Sequence, residues 1–351
     1  MTLDTLTHAI SGALIGRATA PQTRANTLSL KERSWVGFLA GAAPDLDAVI
    51  ALFGPVAYLT HHRGESHSLL LMPIWAGLLA LAFAWVGGRR LSWKAYYGVC
   101  FMALGIHILG DLITSYGTQI LAPVSTWAPG LNSTFIIDPW FSAILLGGLL
   151  LSVHRRSRAV AACTLLVIVA VVALQYSQYR KAVAVGEAYA AERGISADLV
   201  QAYPQPLSWF NWKLVVVAGE IYHQTRVNLL AGQPRPAPAD DAAWLKRLRA
   251  DYQPVDHARW TRHRRFGDGG QDPLARAVWA EGDFAFYRRF AALPLVYGVE
   301  TLDDDLCVWF YDLRFTVMDI TPPFRFGMCR PETHDGGWRL HRLGAGGRQA
   351  L

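Results

Sequence analysis

The stretch His61-His62-Arg63-Gly64-Glu65-Ser66-His67-Ser68 runs directly into Leu69-Leu70-Leu71. It packs three imidazoles, a guanidinium and a carboxylate into eight residues at the mouth of an apolar segment, where such groups are costly unless they face a polar interior, a partner or an ion. Three further interruptions of apolar sequence have the same character: His8, the pair Asp45 and Asp47 after Pro44, and His107 with Asp111. These groups mark the polar positions of an otherwise apolar half-chain.

The chain has 351 residues, 52% hydrophobic and 17% charged, which is too apolar for a soluble domain of that size. The long apolar runs end near Gln178, and the remainder is dense in Arg, Asp, Pro and Trp. The expected organisation is an α-helical polytopic membrane domain over 1–178 and a smaller second domain over 179–351. Candidate spans are Ser34 to Phe53, His67 to Gly87, Tyr96 to Ile113, Pro139 to Val153 and Arg158 to Tyr176, against the roughly 20 residues that cross a bilayer. The short run Ala9 to Gly16 is preceded by Asp4 and followed by Arg17, the reverse of a secretory signal. Arg17, Arg24, Lys31, Arg33, Arg89, Arg90, Lys94, Arg155, Arg156 and Arg158 fall in alternate connections, whereas the others hold only Arg63. The positive-inside rule then places the amino terminus, the His-rich loop and everything after Ser177 on the outer side. No basic stripe is interleaved with stacking aromatics, so nothing points to nucleic acid.

That topology gathers the acids and histidines on one side. His107 and Asp111, like Asp4 and His8, are four apart and share a helix face. Asp45 and Asp47 are two apart and diverge on a regular helix, and Pro44 loosens the backbone beside them. Imidazoles mixed with carboxylates suit zinc first, then manganese or iron, rather than calcium, and no nearby Cys suggests a structural zinc knot. Each group alone has a plainer reading: His8 as a helix cap, the Asp pair as a helix break, His107 and Asp111 as a hydrogen-bonded couple. Their coincidence on one side of one bundle favours a single metal site shared by these groups, with at most one of Asp45 and Asp47 a close ligand unless the backbone is broken at Pro44.

The set Leu6-Thr7-His8, Pro44-Asp45-Leu46-Asp47, His62-Arg63-Gly64-Glu65-Ser66-His67-Ser68 and His107 through Asp111 to Thr114-Ser115-Tyr116-Gly117-Thr118 resembles the YdjM-type family (DUF457) of bacterial inner-membrane proteins, predicted metal-dependent hydrolases. Ser66 stands where that pattern usually has Thr, which keeps the hydroxyl. Phe135-Ile136-Ile137-Asp138-Pro139 resembles the longer members. The resemblance implies a divalent-metal site distantly like those of zinc phospholipase C and P1-type nucleases, acting on a phosphoester. It carries the ligand role to His8, Asp45, His67, His107 and Asp111, with Asp47, His62 and Asp138 as additional candidates. Arg63, Glu65 and Asp47 are the candidate catalytic residues, Arg63 gripping an anionic group with its fork and Glu65 serving as base.

In the tail, Gln178 to Ala202 has helical spacing and is expected to extend the last membrane helix. Leu207 to Asn211, Lys213 to Ala218, Glu220 to Leu229, Cys307 to Val317 and Phe324 to Cys329 read as strands of a mainly-β extracytoplasmic domain, and Gln233 to Asp240 as an exposed loop. Cys100 and Cys163 fit as small apolar residues. Cys307 and Cys329 can pair in an oxidising compartment. The favoured function is a membrane-bound hydrolase acting on a lipid or lipid-linked phosphoester by metal-activated water. A metal or proton transporter using the same residues, and a non-enzymatic membrane stress factor, are the alternatives.

Overall fold

The computed structural model describes residues 3–22, 27–237, 239, 243–318, 320–331 and 336–351. Arg24, and positions 238 and 240 of the proline-rich loop, lie outside them. Two compact units are present: one formed by 1–52 and 61–178, the other by 53–60 and 179–351.

The first unit is helical. It contains α1 (Leu3–Ala18), α2 (Leu30–Ala42), a 3-10 segment (Pro44–Phe53), a 3-10 turn (Glu65–His67), α4 (Met72–Val86), α5 (Trp93–Leu112), α6 (Pro139–His154) and the first part of α7 (Arg158–Glu192), while α3 (Pro55–His61) belongs mostly to the other unit. Among the described residues, three stretches, Leu30–Phe53, Trp93–Leu112 and Arg158–Glu192, are long and apolar enough to cross a membrane, and Pro55–His67 with Met72–Val86 makes a fourth if that pair, bent by 79°, counts as one span. Pro139–His154 is apolar but short. The helix expected to begin at His67 begins at Met72 instead, with Pro73 in its first turn, because His67 sits in the 3-10 turn before it.

Side chains sort by size on these helices, as they do where lipid replaces water outside. On α4, Ala76, Ala80 and Ala84 face α5 and are buried, whereas Ile74, Leu78, Leu81 and Trp85 are exposed. Between apolar surroundings, small residues let backbones approach and large ones face outward. The same rule joins α1 to α2. Gly12 and Gly16 meet Gly37, Arg33 and Gly41 in antiparallel order, so closely that a Cβ at Gly16 would lie 2.5 Å from the Arg33 carbonyl and one at Gly41 2.7 Å from that of His8.

Two of the basic residues that signalled topology are buried ties. Arg17 donates from Nε to Ser152 Oγ (2.8 Å), from Nη2 to the Ser152 carbonyl (2.6 Å) and from Nη1 to Ser34 Oγ (2.9 Å). Arg33 donates from Nε to the Gly16 carbonyl at 2.6 Å and from Nη2 to that of Thr19 at 3.1 Å. Each serves carbonyls near the carboxyl end of a neighbouring helix, which that helix leaves unsatisfied.

In the second unit, α7 ends with a glycine cap: Gly194 has φ +63°, and Ile195 N donates to Ala190 O. The expected helix to Ala202 therefore stops at Glu192, and 199–204 is strand. That unit holds two antiparallel meanders, β1 (Leu199–Pro204), β2 (Asn211–Ala218), β3 (Ile221–Asn228) and β4 (Thr261–Arg264) in one sheet, and β5 (Pro294–Leu302), β6 (Asp305–Asp312), β7 (Phe326–Pro331), β8 (Arg339–Gly344) and β9 (Gly347–Ala350) in the other. Helix α8 (Trp244–Asp251) lies between β3 and β4 in sequence, and α9 (Gln271–Ala280) and α10 (Ala285–Phe290) between β4 and β5. Leu207 to Asn211 is mainly turn rather than strand, Leu207 having φ +69° and Asn211 N donating to Ser208 O. The expected run Cys307 to Val317 leaves β6 after Asp312 for a 3-10 turn (Leu313–Phe315), whose Arg314 amide is capped by the Asp312 carboxylate.

The aromatic surplus is core. Phe266, Phe284, Phe286, Tyr287, Phe310 and Phe326 pack with Val278 and Met328, and Leu59 of α3 joins them, which assigns 53–60 to this unit. Lys213 is fully buried with its ammonium donating to Thr316 Oγ1 (3.0 Å) and to the carbonyls of Leu313, Arg314 (3.0 Å) and Thr316 (2.9 Å). Desolvation pushes its pKa well below the ordinary lysine value, and the oxygen cage offsets that by occupying every N–H. Cys307 and Cys329 stand opposite each other on β6 and β7 and are joined as a disulfide.

Candidate metal centre

The close glycine packing of α1 on α2 sets the site's first two corners. It brings His8 near the carboxyl end of α2, where the chain turns at Pro44 into the 3-10 segment carrying Asp45 and Asp47. At about three residues per turn, positions two apart point in different directions, and the two carboxylates separate accordingly. Asp45 Oδ1 turns toward His67 Nε2 (3.8 Å) and His107 Nε2 (3.7 Å). Asp47 turns to the His-rich loop, where it accepts from Arg63 N (3.0 Å) and Ser66 Oγ (2.9 Å), pairs with His62 Nδ1 (2.8 Å), and lies 3.4 Å from His67 Nδ1.

Both central imidazoles are held from behind. His107 Nδ1 is 2.6 Å from the Gly41 carbonyl and must donate there, which leaves Nε2 with its lone pair. His67 Nδ1 faces Ser66 Oγ at 2.8 Å and the Asp47 carboxylate, which favours the same tautomer. The two Nε2 atoms then confront one another at 3.0 Å, an arrangement that calls for a shared cation. Asp111 supplies the remaining charge: its Oδ2 is 3.1 Å from His67 Nε2 and 3.5 Å from His107 Nε2. Four ligands about 2.1 Å from a tetrahedral ion stand about 3.4 Å apart, and these five separations scatter around that value.

The donor set passes a second test. His67, His107 and Asp111 are fully buried, yet neither oxygen of Asp111 nor Oδ2 of Asp45 makes a well-formed hydrogen bond. Buried carboxylates left so are rare unless a cation serves them; for Asp111 Oδ1 that cation is the Arg63 guanidinium at 2.8 Å, which leaves Asp111 Oδ2 and Asp45 Oδ2 for an ion. Among the described residues, two triads have ligand atoms within 4.8 Å of one another, His8 with His107 and Asp111, and Asp45 with His67 and His107. His8 reaches Asp111 through the other oxygen, Oδ1, at 3.2 Å, and its Nε2 lies 3.3 Å from Asp4 Oδ1. Its ring rests on Gly110, where a Cβ would come within 2.8 Å.

The other expected residues fall elsewhere. Arg63 is 2% exposed, and its fork meets Asp111 Oδ1 (2.8 Å), Asp4 Oδ2 (3.1 Å) and Thr114 Oγ1 (3.0 Å), with the Tyr116 ring 5.0 Å away. It is an internal counter-ion, not a fork facing open space. Glu65 is turned away to His61, 3.5 Å distant, both about half exposed, so it is not brought to the cluster. His62 contacts Asp47, Tyr116 and the ring of His67. Asp138 caps α6 by accepting from Trp140 N and Phe141 N, and takes a third bond from Gln175 Nε2. Sequence reasoning missed Asp4 as a partner of Arg63 and the Gly41 carbonyl as the partner of His107. The spacing Gly37-x-x-x-Gly41, repeated at Gly12-x-x-x-Gly16, was the signal for the close packing that brings the latter about.

The similarities of the chain agree with this location. Across 142 residues it is 31% identical to the uncharacterized protein YfhP of Bacillus subtilis (strain 168), an alignment covering 39% of this chain and 42% of that protein. The chain thus spans less than half the length of the relative it matches. No solved structure matches it. Residues 3–182, which contain every residue of the cluster, match the family described as YdjM inner membrane protein. The chain belongs to the YdjM family of inner membrane proteins.

Proposed function

We propose that the chain is a divalent-metal-dependent hydrolase of the inner membrane that cleaves a phosphoester in a lipid or lipid-linked substrate. The observation that carries this reading is the approach of His67 Nε2 and His107 Nε2 to 3.0 Å, bracketed by Asp45 and Asp111. A divalent ion, zinc first among them, would polarise a phosphoryl oxygen and acidify a water there. Asp45 is the least buried of the four, its side chain 11% exposed, and its Oδ2, a buried oxygen without a well-formed hydrogen bond, would accept the proton of the attacking water. Asp47 and Gly41 keep the imidazoles turned inward, and Arg63 with Asp4 fixes Asp111. The large apolar side chains facing outward on α4 would present the centre to lipid, which favours a substrate with an acyl or prenyl body. The bridged tail domain and the exposed basic residues Arg89, Arg90 and Arg155 support an outward-facing site and a tail outside the cytoplasm.

The test is metal analysis of detergent-purified protein with a panel of phosphoester lipids and soluble diesters. Wild type should carry metal and cleave at least one lipid, and His67→Ala and Asp111→Ala should lose most of the metal and at least 100-fold in rate while remaining folded. Full metal content in both variants would remove the site. Metal binding with no cleavage across the panel would remove the hydrolase reading and favour a carrier.

A further inference from the structure

Asp111 has the geometry of a bridging carboxylate. Its Oδ2 faces the two central imidazoles, and its Oδ1 faces a separate polar position lined by His8 Nε2 at 3.2 Å and, beyond it, Asp4. In two-metal hydrolytic sites the ions sit about 3.5–4 Å apart across such bridging oxygens. Here the second position already holds a cation, the guanidinium of Arg63, whose Nη2 lies 2.8 Å from Asp111 Oδ1 and 3.1 Å from Asp4 Oδ2. The group cannot drift away. It is 2% exposed, its Nη1 donates to Thr114 Oγ1 at 3.0 Å, and its backbone is pinned on both sides, Arg63 N to Asp47 Oδ2 and Arg63 O to Gln119 N. The residue even adopts φ +58°, a conformation unusual for a side chain of this size, to place the fork there.

We propose that Arg63 is a built-in replacement for a second metal ion, so that the centre holds one divalent ion per chain. The proposal rests on the metal reading above and goes beyond it by assigning the ion count and the residue that sets it. A second divalent ion would have to share that second position with the guanidinium, placing two cations in contact within a buried cluster, which is strongly unfavourable. It follows that Arg63 is a positioning residue: it aims Oδ1 of Asp111 away from the ion and leaves Oδ2 for it.

The experiment is metal stoichiometry on full-length protein in detergent, loaded with Mn2+ and read by elemental analysis and electron paramagnetic resonance. Wild type should bind one ion with the six-line spectrum of an isolated Mn2+. Removing the guanidinium with Arg63→Ala opens a position between Asp4, His8 and Asp111, so the count should rise to two, with the broadened spectrum of a coupled pair. Arg63→Lys should stay at one, and adding Asp4→Asn to Arg63→Ala should return the count to one. If Arg63→Ala does not fold, Asp4→Asn alone decides: one ion before and after supports the proposal, and a fall from two to one overturns it. Two ions in wild type, or a single ion in folded Arg63→Ala, also overturns it while leaving the metal reading intact. No ion in wild type removes both.

Discussion

At the scale of single residues, the centre depends as much on the groups behind the ligands as on the ligands. His67 is a usable donor because Asp47 and Ser66 occupy the far side of its ring, and His107 because Gly41 offers a carbonyl at 2.6 Å. Such outer partners typically contribute 10–100-fold in metal affinity. Asp47→Asn should therefore weaken Zn2+ binding about 10–100-fold in a chelator competition, with the far-ultraviolet circular dichroism unchanged. Glu65→Gln should leave the affinity alone, since that carboxylate faces His61 at the surface. An Asp47→Asn protein that binds as tightly as wild type would detach His67 from this support. The residues of the cluster were readable in the chain because imidazoles and carboxylates are conspicuous in apolar sequence. Their division of labour was not, because Asp45 and Asp47 differ only in the direction their side chains take from a 3-10 turn.

At the scale of elements, the glycines govern the geometry. α1 and α2 touch backbone to backbone, and α2 carries both Gly41, the partner of His107, and the turn into Asp45. Gly37→Leu has no room to be absorbed by a side-chain rotation, because the nearest atom is the Gly12 carbonyl oxygen. Overpacking of this kind typically costs about 1–3 kcal/mol, and here it should also lower metal content by displacing Asp45. Thermal unfolding and elemental analysis in detergent would measure both. Gly77→Ala and Gly98→Ala, where a Cβ would meet nothing within 4 Å, should change neither, and equal loss from all three substitutions would refute the role of the contact. Hydropathy located the helices but set their ends poorly. The expected start at His67 and the expected extension to Ala202 both failed where a turn, not hydrophobicity, decides: the 3-10 turn Glu65–His67 and the Gly194 cap.

At the scale of the whole molecule, the chain passes between its units more than once. It enters the second unit at Phe53, returns at His61 and leaves the first for good after Gln178. The helix α7 bridges that last boundary, and its 35 residues extend about 52 Å, well beyond the roughly 30 Å of a hydrocarbon core. The tail's disulfide allows its compartment to be tested. In a Cys100→Ala, Cys163→Ala background, denatured protein should react with a maleimide only after reduction. On spheroplasts, an impermeant reductant followed by an impermeant maleimide should label the pair. Thiols that react without reduction would refute the bridge in the cell, and labelling only after the membrane is broken would refute an outer tail. Reduction should lower the stability of the tail by about 3 kcal/mol, the chain-entropy value for a loop of this size, Cys307 and Cys329 being 22 residues apart.

What the amino-acid sequence by itself determined is the division into an apolar helical half and a sheet-rich half, and the identity of the polar residues that gather in the first. Both follow from local properties: hydropathy summed over a span, and ionisable groups placed where burial is costly unless they share a partner. It also pointed to β2, β3, β6 and β7, whose aromatic and β-branched residues alternate, but not to β8 or β9, whose Arg, Gly and His take strand form only beside a paired neighbour. Only the tertiary structure decided which atoms meet. It turned Asp45 to the imidazoles and Asp47 to the loop, committed Arg63 to Asp4 and Asp111, and set Cys307 opposite Cys329. Those outcomes depend on side-chain direction and on partners far apart in the chain, and such directions follow from backbone packing, here the close approach of α1 and α2, that no single segment specifies.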